Sequence, residues 1–219
     1  AISQLFTDRT SAANESDQKI GYCLHPSGDF DKSLLADLRA EMIQPDNRWT
    51  VRRIAACYRS LKYGQKALEY YLKAESLQPD NLAVGLLIGH CYVEEGNYEE
   101  ALKYYFKVDY LKPDSDKAWR PIAWCSFLSG KYEQASRYYE KILAGKPSAL
   151  DYMNAGHVEL ALKHTRKALE LYRESLSHDH NDTERFLGNF TPDIPLLVKA
   201  GIDADDLPIL PDQLLYQIS

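Results

Sequence analysis

Apolar and polar positions along this chain alternate with a helical period. In the stretch NYEEALKYYFKVDYLKPD, the residues Tyr98, Ala101, Leu102, Tyr105 and Val108 stand at i, i+3, i+4, i+7 and i+10. That spacing places them on one face of one helix. The pattern then recurs at long range. Pro45, Pro79, Pro113 and Pro147 are each 34 residues apart, in the segments IQPDN, LQPDN, LKPDS and GKPSA. Ala67, Ala101 and Ala135 keep the same step, with Ala168 after 33, and Tyr71, Tyr105, Tyr139 and Tyr172 run in parallel. Five units follow: 14–47, 48–81, 82–115, 116–148 and 149–181. Residues 1–13 read as a lead-in or a piece of a preceding repeat, and 182–219 as a C-terminal cap or tail. Each unit holds two apolar stripes parted by a Gly/Asn/Tyr turn, which predicts a pair of helices. The alanine lets the helix axes approach closely, and the proline ends the second helix. One pair cannot bury its own apolar face, whereas stacked pairs share a continuous core.

The best-formed unit, 82–115, carries Ile88-Gly89, Tyr92, Gly96, Tyr98, Ala101, Tyr105 and Pro113. Unit 116–148 carries Trp119, Ile122-Ala123, Gly130, Tyr132, Ala135, Tyr139 and Pro147. These units resemble tetratricopeptide repeats. Three units depart from the pattern. In 48–81 the order Tyr63-Gly64 is off register, 149–181 lacks the turn glycine and the closing proline, and 14–47 has Pro26 near the end of its first helix. The resemblance implies an all-α, right-handed superhelical solenoid of stacked antiparallel helix pairs with a C-terminal capping segment. It also implies a non-catalytic protein–protein interaction scaffold that holds a peptide or protein segment in a concave groove lined by the first helix of each unit. Groove-facing positions carried over from the family are Trp49, Arg52, Ala56 and Arg59; Ala83, Leu86, His90 and Val93; Lys117, Arg120, Trp124 and Phe127; and Leu150, Met153, His157 and Leu160. The first unit would add Tyr22 and His25. The expected binding groove is Trp49, Arg52, Arg59, Leu86, His90, Arg120, Trp124, Phe127, Met153 and His157. A carboxylate clamp known in some arrays is absent, because its places read Arg52, Ala56, Leu87, Lys117 and Pro121.

Charge sharpens the expected partner. Between Asn47 and Leu68 stand Arg48, Arg52, Arg53, Arg59, Lys62 and Lys66 with no acid, in a chain whose net charge is -6. Exposed aromatics beside arginines suit a segment carrying acidic and apolar side chains. The competing readings are a solvated helix face for the basic run and core packing for Trp124 and Phe127. The acidic balance argues against nucleic acid as partner. The chain has no apolar run long enough to span a membrane.

All four cysteines (Cys23, Cys57, Cys91 and Cys125) fall two residues after the small Gly/Ala of a first helix, with Val158 in the fifth unit. Equivalent positions one helix apart lie about 8–10 Å from one another, beyond the reach of about 7 Å that a disulfide needs. They read as small buried hydrophobes, and unpaired thiols favour a reducing, cytoplasmic setting. No phosphate-binding loop, nucleophile elbow or zincin motif occurs, so no catalytic residue and no cofactor is expected. His178, Asp179, His180 and Asp182 form the one stretch that suggests a metal site, and a polar exit loop accounts for it as well. In the tail, Thr191-Pro192 reads as a helix start running to about Ala200 and stopping at Gly201. A further helix from Asp203 or Pro211 would end near Tyr216. The tail caps the last repeat on one reading; on the other it docks into a neighbouring molecule, and residues 203–219 drive self-association. The leading alanine suggests processing or excision from a longer protein. It leaves open a regulatory or sensory module serving an enzyme or transcription regulator.

Overall fold

The computed structural model describes residues 28–113, 116–205 and 207. The expectations for 1–13, for Tyr22, Cys23, His25 and Pro26, and for a helix from Pro211 to Tyr216 lie outside them. The described chain is helical, with no strand among its residues, and divides into two compact units after Leu111.

The first unit holds α1 (Phe30–Ile43), α2 (Arg48–Ser60), α3 (Gly64–Leu77), α4 (Leu82–Glu94) and α5 (Tyr98–Leu111). α2 pairs with α3 and α4 with α5, while α1 packs on α2 and α3 on α4. The Pro-Asp-Asn segments make the joints. Asp46 and Asp80 take left-handed backbone conformations (φ 67° and 62°). The asparagine after each caps the next helix: the Asn47 side chain accepts from the N–H groups of Trp49 and Thr50 at 3.1 and 3.2 Å. Asn81 does the same for Ala83 and Val84. Two of the four orphan amides at each helix start are thereby satisfied.

The turn inside each pair also recurs in geometry, though not in residue. Gly96 and Gly130 are left-handed (φ 75° and 77°), and so are Lys62 and Lys163 (both 65°). At all four, the N–H of the left-handed residue and that of the next one bond back to the end of the helix, as in Lys62 to Arg59 and Tyr63 to Tyr58. This is the Schellman stop. The repeats that lack a turn glycine therefore keep the turn, with a lysine forced into the glycine conformation. Gly64 is simply the first residue of α3.

An ionic cluster recurs 34 residues apart on the second helices. Lys73 reaches Glu41 at 2.7 Å and Asp46 at 3.4 Å, and Tyr70 donates to Glu41. Lys107 reaches Glu75 at 2.9 Å and Asp80 at 3.2 Å, and Tyr104 donates to Glu75. Each cluster ties a second helix to the last turn of the preceding one.

The second unit holds α6 (Trp119–Leu128), α7 (Tyr132–Leu143), α8 (Ala149–Ala161), α9 (Thr165–His178), α10 (Thr183–Phe190), a 3-10 turn (Thr191–Asp193) and α11 (Ile194–Lys199). α6 pairs with α7 and α8 with α9, and α7 packs on α8. Ser148 opens α8 with a reciprocal capping box to Asp151. The final segment keeps the expected start at Thr191-Pro192 and stop at Gly201 and adds a helix before them. A helix already begins at Thr183, after the Asp182 cap. Thr191-Pro192 opens a 3-10 turn, and α11 spans only Ile194–Lys199 before the left-handed Gly201. Phe186, Phe190 and Leu197 from this segment are buried in the same core as Met153, Val158 and Tyr172.

Cys57, Cys91 and Cys125 are buried and unbridged. Burial pushes the Cys91 thiol up to about 11, which removes the thiolate needed for nucleophilic or metal chemistry at neutral pH.

Candidate partner-binding surfaces

In the first unit, α2 carries Trp49, Arg52 and Arg59. Trp49 is 62% exposed, and the Arg52 guanidinium lies 5.4 Å from its ring centre. The pair is an exposed indole with a charge held over it. Arg59 is engaged differently: it forks onto Glu94 of α4 at 2.6 and 3.0 Å. Arg53 is committed to Asp37 of α1 through its Nε and Nη2, and Asp37 is fully buried. Lys66 lies over the rings of Tyr58 and Tyr63. The acid-free run in the sequence therefore acquires acids in space, from residues 16 behind and 35 ahead.

Leu86 and His90 are partly exposed on α4. The Tyr105 hydroxyl sits 2.8 Å from His90 Nδ1. Gly89 makes this possible, because a Cβ there would stand 2.3 Å from Cε1 of Tyr105. Burial lowers the His90 pKa, and the nearby Arg59 charge lowers it further. His90 is thus a neutral ring at pH 7.

In the second unit, Arg120 forks onto Asp151 at 2.8 and 2.9 Å and also reaches the Lys146 carbonyl. Burial alone would raise the Asp151 carboxyl, but bonds from Arg120 and Ser148 hold it below its usual value. Arg120 joins α6 to α8 as an ionic strut. Trp124 is partly exposed and stacks on Phe127 at 5.3 Å.

Phe127, Met153 and His157 are not open groove residues. Phe127 is buried between Trp124, Tyr132 and His157. Met153 is 1% exposed and His157 0%. The face of α8 that carries them is closed by α10 and the turn after it. Phe190 meets the His157 ring at 5.3 Å and the Tyr172 ring at 5.5 Å, both edge-on. His157 Nδ1 is 2.8 Å from the Tyr172 hydroxyl. Its Nε2 lies 3.3 Å from Oδ2 of Asp193, near enough for charge pairing though out of line for a hydrogen bond. Burial lowers the His157 pKa, and Asp193 opposes that shift.

The exit-loop residues His178 to Asp182 are used locally. His178 packs on Tyr152 at 4.7 Å, Asp179 accepts from Arg185, and Asp182 caps α10. Among the described residues no helix is long and apolar enough to cross a membrane.

The described helix pairs and their shared small-residue seams are those of tetratricopeptide repeats, and solved structures share the architecture. MamA from residue 41 to its end, from Desulfovibrio magneticus RS-1, is 13% identical, with 78% of this chain and 97% of that one covered at a TM-score of 0.74. A thermophilic TPR protein in Thermus thermophilus is 18% identical over 81% and 99%, with a TM-score of 0.58. A tetratricopeptide repeat protein from Parabacteroides merdae ATCC 43184 is 15% identical over 92% and 84%, with a TM-score of 0.63. The chain has the helical-repeat fold of these tetratricopeptide proteins. The family model described as Regulator of microtubule dynamics protein 1-3 matches residues 49–119, less than half of the chain. No curated protein matches the sequence.

Proposed function

We propose that the chain is a non-catalytic scaffold that captures a protein segment bearing acidic and apolar side chains. Its first-unit contact surface is the α2–α4 face of Trp49, Arg52, Arg59, Leu86 and His90. Trp124, with Arg120 at its rim, serves in the second unit. The observation that carries this reading is the largely exposed Trp49 with the Arg52 charge over its ring. Exposed Trp and Arg are the residue types on which binding energy concentrates, and among the described residues no core encloses this indole. Affinity capture from the native cell, followed by mass spectrometry, tests it. Trp49→Ala and Arg52→Glu should each reduce the captured protein about tenfold or more. An unchanged set of captured proteins in both variants overturns the reading.

The family match over 49–119 favours a second reading, in which the segment captured belongs to the microtubule machinery. Co-sedimentation with assembled microtubules, abolished by Arg52→Glu, would support it. Wild-type protein that stays in the supernatant would remove it.

A further inference from the structure

The His–Tyr pair occurs twice, with matching geometry. His90 and Tyr105 have ring centres 5.5 Å apart and planes at 59°. His157 and Tyr172 have 5.6 Å and 61°. Both Nδ1 atoms meet the tyrosine hydroxyl at 2.8 Å. Both pairs need the preceding glycine, since a Cβ on Gly156 would stand 2.4 Å from Tyr172. What lies over them differs. The chain's own segment covers His157, with Phe190 against both rings and Asp193, three residues on, at Nε2. His90 is partly exposed.

The surroundings differ in a second respect. The place that Phe127 fills beside His157 belongs, in the repeat before His90, to Arg59. The Arg59 charge is felt at His90, and its partner Glu94 has a half-exposed side chain. A phenyl ring beside the covered pair thus becomes a guanidinium beside the open one. A ligand carboxylate there can displace Glu94 from Arg59 with little desolvation cost, because Glu94 returns to water.

We propose that the His90 face of α4 binds a partner's helical segment of the form Phe-x-x-Asp, the chemistry that residues 190–193 supply to His157. The aromatic ring packs on His90 beside Leu86, and the carboxylate three residues later reaches Arg59 and His90 Nε2. This rests on the scaffold reading and names the ligand chemistry of one part of its surface. The His–Tyr hydrogen bond couples the imidazole tautomer to the tyrosine proton: Nε2 carries the hydrogen when the hydroxyl donates to Nδ1, and is an acceptor when the hydroxyl accepts from Nδ1. A carboxylate selects the form that donates from Nε2.

A labelled peptide of residues 183–199 is the probe, titrated into the full chain by fluorescence anisotropy and by amide NMR. The expected result is saturable binding with shifts at Leu86, His90 and Val93. His90→Ala in the protein and Phe190→Ala in the peptide should each weaken it about tenfold or more. Arg59→Gln in the protein and Asp193→Asn in the peptide should weaken it several-fold, by about the same factor as each other. If His90→Ala proves unstable, Leu86→Glu, a partly exposed site, gives the same loss. No saturation up to about 1 mM overturns the proposal, as do full-strength binding to the His90 and Leu86 variants and shifts confined to Met153 and His157. The last would mean that the peptide only exchanges with the chain's own segment. If the peptide fails while Trp49→Ala still loses the cellular partner, the scaffold reading stands and this one falls.

Discussion

His90 and His157 occupy the same place in two repeats, on a glycine-seated tyrosine, and they live in different environments. His157 is sealed by two phenylalanines' worth of apolar segment and a carboxylate. His90 keeps part of its surface, with Arg59 and Leu86 on the same side. The difference shows how a repeat array handles an apolar face that has no following repeat. A terminal repeat cannot bury that face alone. Here α10, the 3-10 turn and α11 spend Phe186, Phe190 and Leu197 on it. The same side-chain kit is therefore buried at one site and partly exposed at the other.

The comparison breaks most visibly at Phe190. Its ring is 1% exposed and touches His157, Tyr172 and Phe186. Phe190→Ala should cost the second unit about 3–5 kcal/mol and open the α8 face. Denaturant unfolding, followed by probes in each unit separately, should show the second unit's transition move while the first stays in place. Equal loss in both would mean that they unfold as one cooperative body.

Next comes the glycine seat. Gly89→Ala and Gly156→Ala each drive a methyl into a buried tyrosine ring at 2.3 and 2.4 Å. Helix propensity alone would favour the change by about 1 kcal/mol. Overpacking costs about 1–3 kcal/mol and should win, because both rings are hydrogen-bonded and enclosed. Gly156→Ala should be worse, since Phe190 blocks the tyrosine's retreat, whereas Tyr105 can shift with the partly exposed His90. Thermal melts of the two variants rank them, and a stabilised Gly156→Ala would contradict the seat.

Much of this was legible in the chain. Register in Pro45, Pro79 and Pro113, with the alanine and tyrosine ladders, gave helix pairs and their boundaries, and the cysteines' burial at Cys57, Cys91 and Cys125 followed from their place in the ladder. Three things were not legible. The helix Thr183–Phe190 has no repeat to register against, so the tail was readable as a cap but this helix within it, with Phe186 and Phe190, was not. The groove position of Met153 and His157 was assigned from the family pattern, which describes an interior repeat. At the end of an array the same positions are covered. Finally, the acids onto which Arg53, Arg59 and Arg120 fork are 16, 35 and 31 residues away, so a local charge count cannot see them; it sees only Asp116, which adds an ion pair to Arg120 at 3.6 Å. A partial signal did exist: Asp151 and Glu94 each stand on the first helix of a repeat, one repeat on from the arginine they meet.

Acid should separate the two histidines. In the unfolded chain each has its ordinary pKa of 6.5, and in the fold both are lowered. Below pH 6.5 the unfolded chain takes up the proton first. Stability is therefore full above pH 6.5 and falls as the pH drops toward the lower folded value, by up to about 1.4 kcal/mol per pH unit for each group. His157 is the more deeply enclosed, so the second unit should carry more of the fall, with Asp193 moderating it. Comparing unfolding midpoints at about pH 7.5 and about pH 5.5 checks this. His157→Gln should flatten the second unit's response, and an unchanged response would assign the fall to other groups.

The smallest effect tests the turns. Lys62 and Lys163 adopt the left-handed backbone that Gly96 and Gly130 take freely. That conformation costs a side-chain-bearing residue about 1–2 kcal/mol. A glycine there returns part of the gain through the added entropy of the unfolded chain, about 0.4–1 kcal/mol. Lys62→Gly should therefore stabilise the first unit by about 0.5–1 kcal/mol. Lys163→Gly should give less, because Lys163 Nζ also donates to the Gly201 carbonyl at 2.6 Å, at the stop after α11. Removing that bond loosens the end of the covering segment while relieving the turn beneath it. A larger gain at 163 than at 62 would show that this bond does not hold the segment over α8, and that the seal depends on Phe190 and its neighbours alone.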